Sequence, residues 1–288
     1  MSEEFELLVD RQALHGQSPV WMRAFNAVRW VDVLRRELHT YHRNSGGDDV
    51  NVLSAAVTSL AVSRSGQVIT AAGHGFARLS RSRAGLHPVA EVPCGDRMNE
   101  GACDPAGRFL AGTATYDRSE RGNALYVLDS DRARPLVDGL TAPGGLDWSP
   151  DGGTMYLVDS APRVIWMYAY DAKRGRLGAG RRWVVCSESE GNPRGIVVDR
   201  EGCVWVALDG TGRIHRYRPN GDLETVLWAP TARITGLAFG GRRLDEMYVT
   251  SACVGYHERD LRADPYAGAL LRFRPGSVGL PTTAWNGH

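Results

Sequence analysis

The chain has a single lysine. Lys173, in the polar string YDAKRGRLGAG, stands alone among 34 lysines and arginines, so imine chemistry, which needs a lysine desolvated in an apolar pocket, has no candidate. Cysteine is scarce as well. Cys94, Cys103, Cys186, Cys203 and Cys253 are widely spaced, odd in number and contain no C-x-x-C pair, which excludes a disulfide framework or zinc clip and leaves them as small buried hydrophobes. A formal net charge of +1 supplies no field for nucleic acid or an anionic membrane. No apolar run approaches the roughly 18 residues of a membrane span, and MSEEFELLVDR carries acids where a secretory leader carries bases. The expectation is a cytoplasmic protein with neither a membrane nor a nucleic-acid partner. Nucleotide-binding motifs and the G-x-S-x-G elbow of serine hydrolases are missing too.

What the chain does have is a repeat. A short apolar strand, a tight turn and a second apolar strand recur in LAVSRSGQVITAAG, EGACDPAGRFLAGTA, GGLDWSPDGGTMYLVDS, GIVVDREGCVWVALDG and GLAFGGRRLDEMYVTSA. Their turn glycines, Gly66, Gly107, Gly152, Gly202 and Gly241, fall about 40 to 50 residues apart, the spacing of propeller blades. Another period-2 segment follows each hairpin, as in ALYVLDSD, VIWMYAYD, RIHRYRPNG and ALLRFRPG. SPVWMRAFNAVRWVDVLRRELHTYH repeats the pattern in degraded form, which makes six units. The expected fold is all-β, a six-bladed β-propeller forming one domain over residues 1–288, with FELLVD closing against the last blade. SGGDDV, YDRSERGN and HERDLRADPYAG read as inter-strand loops, and Trp148, Trp166 and Trp205 as core.

Antiparallel pairing places residues entering each first strand beside those leaving each second strand. The entering set is Gln17, Ser59, Asn99 with Glu100, Gly144, Arg194 and Thr235; the leaving set is Asp32, His74, Asp117, Asp159, Asp209 and Ser251. First strands line the axis of a propeller, so these side chains are expected around one funnel mouth, the usual ligand position of such a ring. Any single Asp or Ser after a strand also serves as a turn cap.

GQSPVW, RMNEGACDPAGRFLAGT, GGLDWSPDGGTMYLVDS and GLAFGGRRLDEMYVTSA resemble the regucalcin and gluconolactonase (senescence marker protein) family, whose corresponding stretches read GEGPVW, RFNDGKVDPAGRFWAGT, NGLDWSPDGKTLYYVDS and FGGxxLDxLYVTSA. The resemblance runs through nearly the whole chain. It implies a six-bladed propeller with one divalent cation held by the Glu of GEGP, the Asn of NGLDW and an Asp that is also the proposed base. Those places fall here on Gln17, Gly144 and Arg194. None is a carboxylate, so the expectation is no metal and no other cofactor, the guanidinium standing in for the ion's charge. The resemblance also implies substrate contacts at Arg97, Asn99 and Asp117, with Glu100 replacing a motif aspartate.

Asp117, Glu100 and His74 are the candidate proton-transfer groups. Arg97, Asn99, Arg194, Gln17, Asp159 and Asp209 are the candidate substrate-binding groups. His15, His39, His42, His87, His215, His257 and His288 show no metal-ligand spacing and are expected at the surface or at strand edges. Three readings of function follow. The first is a metal-independent enzyme doing elimination, isomerisation, conjugate addition or cyclisation on a carbonyl-bearing small molecule, in keeping with a biosynthetic role. The second is a lactone or ester hydrolase with a rebuilt site, and the third a non-catalytic binding propeller. The expected partner is a small molecule, the expected state a monomer or weak homo-oligomer.

Overall fold

All five turn glycines sit in the left-handed region, Gly66 and Gly107 at φ 84°, Gly152 at 70°, and Gly202 and Gly241 at 82°. A Cβ is disfavoured there and glycine is not, so each string ends one strand and starts its antiparallel neighbour. The degraded first repeat turns through a short 3-10 segment, Arg23–Phe25, and Asn26 at φ 47°, asparagine being among the few other residues that tolerate this region.

The computed structural model describes residues 4–80, 85–93, 97–115 and 122–287. It contains six four-stranded antiparallel sheets, and the fold is the expected six-bladed β-propeller. The chain divides into two compact units, Met1–Val52 with Cys186–Thr282 and Leu53–Val185 with Thr283–His288.

The first unit holds the sheets whose first strands are Gly16–Met22, Asn192–Val198 and Ile234–Gly240. Glu6–Val9 pairs antiparallel with Leu270–Phe273, Glu6 opposite Arg272, so FELLVD supplies the outer strand of the last sheet. Trp205, Ile234, Phe239, Met247, Val249 and Leu271 fill one core of this unit.

The second unit holds the sheets that begin with Val57–Val62, Arg97–Cys103 and Pro143–Trp148. Ile69, Phe76, Met98 and Phe109 pack around Trp285 in its core. The Trp285 amide donates to the Val62 carbonyl at 3.1 Å, which ties the carboxyl-terminal segment to the second sheet.

Cys103, Cys186, Cys203 and Cys253 are buried, as expected, and Cys94 lies outside the described residues. Two histidines depart from expectation. His39 is fully buried, stacked on Trp30 with centroids 3.9 Å apart and with Nδ1 2.9 Å from Asp48 Oδ2. His215 is buried with Nδ1 2.8 Å from the Tyr217 hydroxyl, and burial holds its pKa below the ordinary imidazole value. His39 is met by neighbouring strands and His215 by Tyr217 on its own strand, and such partners make an interior imidazole tolerable.

SGGDDV is another departure. Gly47–Val52 is the outer strand of the first sheet, polar because an edge needs no apolar face. HERDLRADPYAG contains the one short α-helix among the described residues, Glu258–Ala263. Trp148 and Trp205 are core, while Trp166 is half-buried on its sheet. No helix among the described residues is long and apolar enough to cross a membrane.

Candidate functional site

Near the start of every first strand the pairing slips by one residue. Gln17 faces Val31 but Val20 faces Arg29; Met98 faces Thr113 but Gly101 faces Ala111. The same slip separates Pro143 from Leu146 and Pro193 from Ile196. It recurs between Val57 and Ser59 and between Ile234 and Gly236. A bulge leaves a residue out of the ladder and re-aims its side chain, so Gln17, Ser59, Asn99, Glu100, Gly144, Arg194 and Thr235 all sit at or beside one. Glycine is required where bulged strands touch. A Cβ on Gly195 would lie 2.5 Å from the Gly236 Cα.

In the second unit the bulge at Asn99 is the best-connected position. Asn99 is buried, its Nδ2 donates to the Pro143 carbonyl at 2.6 Å, and its Oδ1 accepts from Arg97 Nη1 at 3.1 Å. Its carbonyl accepts from the Thr58 and Ser59 hydroxyls at 2.9 and 3.1 Å. Arg97 Nη1 also donates to the Met98 carbonyl at 3.1 Å. One amide thus joins three first strands and orients a guanidinium. Glu100 is half-buried on the same bulge. His74 is exposed in the turn after Val68–Ala72, next to Gly73, whose carbonyl accepts from the Met98 amide. Asp117 lies outside the described residues.

Asp159 has a different task from the one expected of it. Its carboxylate accepts from the Thr141 amide at 3.1 and 3.2 Å and from the Ala142 amide at 2.6 Å. Both oxygens therefore hold the backbone that leads into Pro143–Trp148. Asp32 does the same in the first unit, taking the amides of Leu14, His15, Leu34 and Arg35 at 2.8 to 3.3 Å. These two aspartates fasten strand ends, which is the capping role open to any Asp after a strand.

Asp209 breaks that pattern. Its Oδ2 accepts from Arg194 Nη2 at 3.2 Å and its Oδ1 from Arg233 Nε at 2.9 Å, so one buried carboxylate lies between two guanidiniums. Arg233 Nη1 donates to the Val254 carbonyl at 3.0 Å. Arg194 Nε is buried and meets no hydrogen-bond acceptor among the described residues. Gln17 is buried beside Ser18, which sits at φ 54°. The Thr235 hydroxyl donates to the Gly16 carbonyl, and Ser251 Oγ donates to the Ala269 carbonyl at 2.8 Å. Sequence reasoning missed Arg233, one residue ahead of its strand, together with Tyr256 and Asp264 in the long loop beyond Ser251. The only available signal for Arg233 was its place two residues before the entering position Thr235.

A family model described as the SMP-30/Gluconolactonase/LRE-like region matches residues 15–253. The chain belongs to this family. Regucalcin of Gallus gallus is 32% identical to it, with 94% of each chain covered. Pentonolactonase XacC of Haloferax volcanii is 31% identical, with 95% of each covered. The crystal structure of a calcium-binding protein, regucalcin, from Agrobacterium tumefaciens matches with a TM-score of 0.93 at 25% identity, covering 99% of this chain and 98% of that one.

Where the resemblance puts a divalent cation, Gln17 could offer a carbonyl oxygen, but Gly144 and Arg194 do not suit a hard ion, which takes oxygen ligands. Gly144 offers no side chain, and even a Cβ there would stand 3.0 Å from Ser160 Oγ. Arg194 brings a permanent positive charge. Elsewhere, Asp199, Glu201 and Cys203 have ligand atoms within 4.8 Å of one another. The guanidinium of Arg216 already occupies that cluster, 2.8 Å from Asp199 Oδ2 and hydrogen-bonded to Glu201. Asp199 also accepts from Trp205 Nε1 at 2.9 Å, so this is an ion-pair network beneath a core tryptophan.

Proposed function

We propose that this gluconolactonase-like protein is an enzyme that acts on an oxygen-rich, carbonyl-bearing small molecule and does so without the family's cation. The observation behind the reading is Arg194, which stands where the resemblance puts a metal-binding aspartate base and is held by Asp209 at 3.2 Å. A fixed guanidinium stabilises an enolate or alkoxide as that charge develops, the task a Lewis acid would otherwise perform. No general base remains among Gln17, Gly144 and Arg194 to activate water. The proton-transfer candidates remain those named from the sequence, Asp117, Glu100 and His74, and acid/base groups of this kind serve elimination, isomerisation or cyclisation.

A second reading, lactone hydrolysis, is favoured by the 31% identity to a pentonolactonase over nearly the full chain. One assay separates them. Purified protein is given a panel of aldonolactones and open-chain hydroxy acids, with a chelator in one arm and calcium, zinc, manganese or magnesium in the other, and products are weighed by mass spectrometry. The expected result is turnover indifferent to chelator, with water lost or atoms rearranged. Chelator-sensitive addition of water to a lactone would overturn the proposal, and silence across the panel would favour a binding propeller.

A further inference from the structure

We infer that Arg194 and Arg233 together recognise a carboxylate, so that the substrate is an ionised hydroxy acid rather than a neutral lactone. The inference rests on the enzymatic reading above and names its substrate class. Two guanidiniums share the single carboxylate of Asp209, at 3.2 and 2.9 Å, so these ion pairs set two positive charges against one negative. The next acid, Asp264, is held by other donors, and its buried Oδ1 has no hydrogen-bond partner among the described residues. Its Oδ2 accepts from the Thr231 hydroxyl at 2.9 Å, the Ala232 amide at 3.1 Å and the Tyr256 hydroxyl at 3.4 Å, and it makes no ion pair with either arginine. Burial, with the charge of Asp264 second, pushes the Tyr256 phenol above its ordinary value, so this neighbour stays a neutral donor. Asp32, a further carboxylate of the first unit, accepts from backbone amides and lies 3.8 Å from Arg35.

The orientation of Arg194 adds a second argument. Its side chain is 12% exposed, and its Nε–H has no acceptor among the described residues. A buried donor left unmet costs about 1–3 kcal/mol, and an incoming carboxylate removes that cost through a charge-assisted hydrogen bond. A lactone carbonyl brings an acceptor without the charge. An open-chain hydroxy acid brings both, and a proton on the carbon next to its carboxylate is the one an elimination or isomerisation removes.

Calorimetry at neutral pH and low salt tests this without turnover, using gluconate and, as its uncharged counterpart, sorbitol. Wild-type protein should bind gluconate at least about tenfold more tightly than sorbitol, and Arg194→Gln and Arg233→Gln should each lose about tenfold of the gluconate affinity, as expected for one charge-assisted hydrogen bond. Arg194→Lys keeps the charge without the planar fork and should fall between, which keeps the test decisive if the glutamine variant unfolds. Equal binding of sorbitol and gluconate, no gluconate binding, or unchanged affinity in a folded Arg194 variant would each overturn the inference. Carboxylate binding without turnover of any panel compound leaves it standing and sinks the enzymatic reading. Turnover of a neutral lactone without carboxylate binding does the reverse.

Discussion

Turnover should fall about a hundredfold or more when Arg97 becomes alanine, the usual loss for one oriented donor to a reacting oxygen. The thermal midpoint should fall only modestly, since Arg97 is half-buried and its loss strands one buried acceptor, Asn99 Oδ1. Its Nη1 reaches the Met98 carbonyl and Asn99 Oδ1, each at 3.1 Å, so the guanidinium is held in place before substrate arrives. Asn99→Ala should behave differently. It removes the anchor for Arg97 and also the 2.6 Å bond to the Pro143 carbonyl, so it should cost activity and about 1–2 kcal/mol of stability, the value of a buried hydrogen bond with its stranded acceptor. Asn99 is on this account a positioning residue acting through Arg97. Adding Asn99→Ala to Arg97→Ala should therefore lower kcat/KM little further, the non-additivity expected of residues that work as a unit. Steady-state kinetics with a substrate from the panel, beside thermal melts, reads all three variants. An Arg97→Ala protein within twofold of wild type would remove Arg97 from the reaction.

Strand order was legible because it rests on short-range chemistry. A left-handed turn favours glycine, and a strand with one buried face alternates, so Gly107 announces its hairpin without knowledge of any distant residue. FELLVD was readable as a closing strand because the last repeat otherwise lacks an outer partner. The bulges were not legible, since register is a property of two strands and a slip at Asn99 depends on how Arg97–Cys103 meets Phe109–Ala114. The glycines and prolines beside the entering positions marked them, but only the paired strands give those residues a task. Buried polar partners are the other gap. Nothing near His39 in the sequence announces Trp30 across the ladder or Asp48 on the next strand, and nothing near Asp209 announces Arg233. Asp159 and Asp32 show the converse, since they lie at strand ends as the repeat pattern puts them and their carboxylates accept from backbone amides.

Glu246→Ala is expected to lower stability at neutral pH by about 3–5 kcal/mol, the cost of removing one partner from a buried ion pair. Glu246 is 2% exposed, at the start of the strand Glu246–Ser251. Its carboxylate accepts from Arg43 Nε and Nη2 at 3.0 and 2.6 Å, from the Tyr248 hydroxyl at 3.0 Å, and from Arg272 and Arg274 at 3.3 Å each. Three arginines lose their common counter-charge when it goes. Burial works to raise its pKa, but the hydrogen bonds from Arg43 and Tyr248 and the charges of Arg272 and Arg43 outweigh burial and hold it below the ordinary 4.5. A carboxyl depressed in the folded state binds its proton more readily when unfolded. The part of its contribution that comes from charge is thus complete above about 4.5, the unfolded value, and is lost as pH falls through the lower folded value. Wild-type protein should accordingly lose stability faster than Glu246→Ala on acidification, so the gap between the two unfolding curves should narrow as pH falls. Urea titrations of both proteins at neutral pH and at successively lower pH values measure the gap directly. A gap that stays constant from neutral to strongly acidic conditions would mean that Glu246 stabilises the sheet through packing, with no net contribution from its charge.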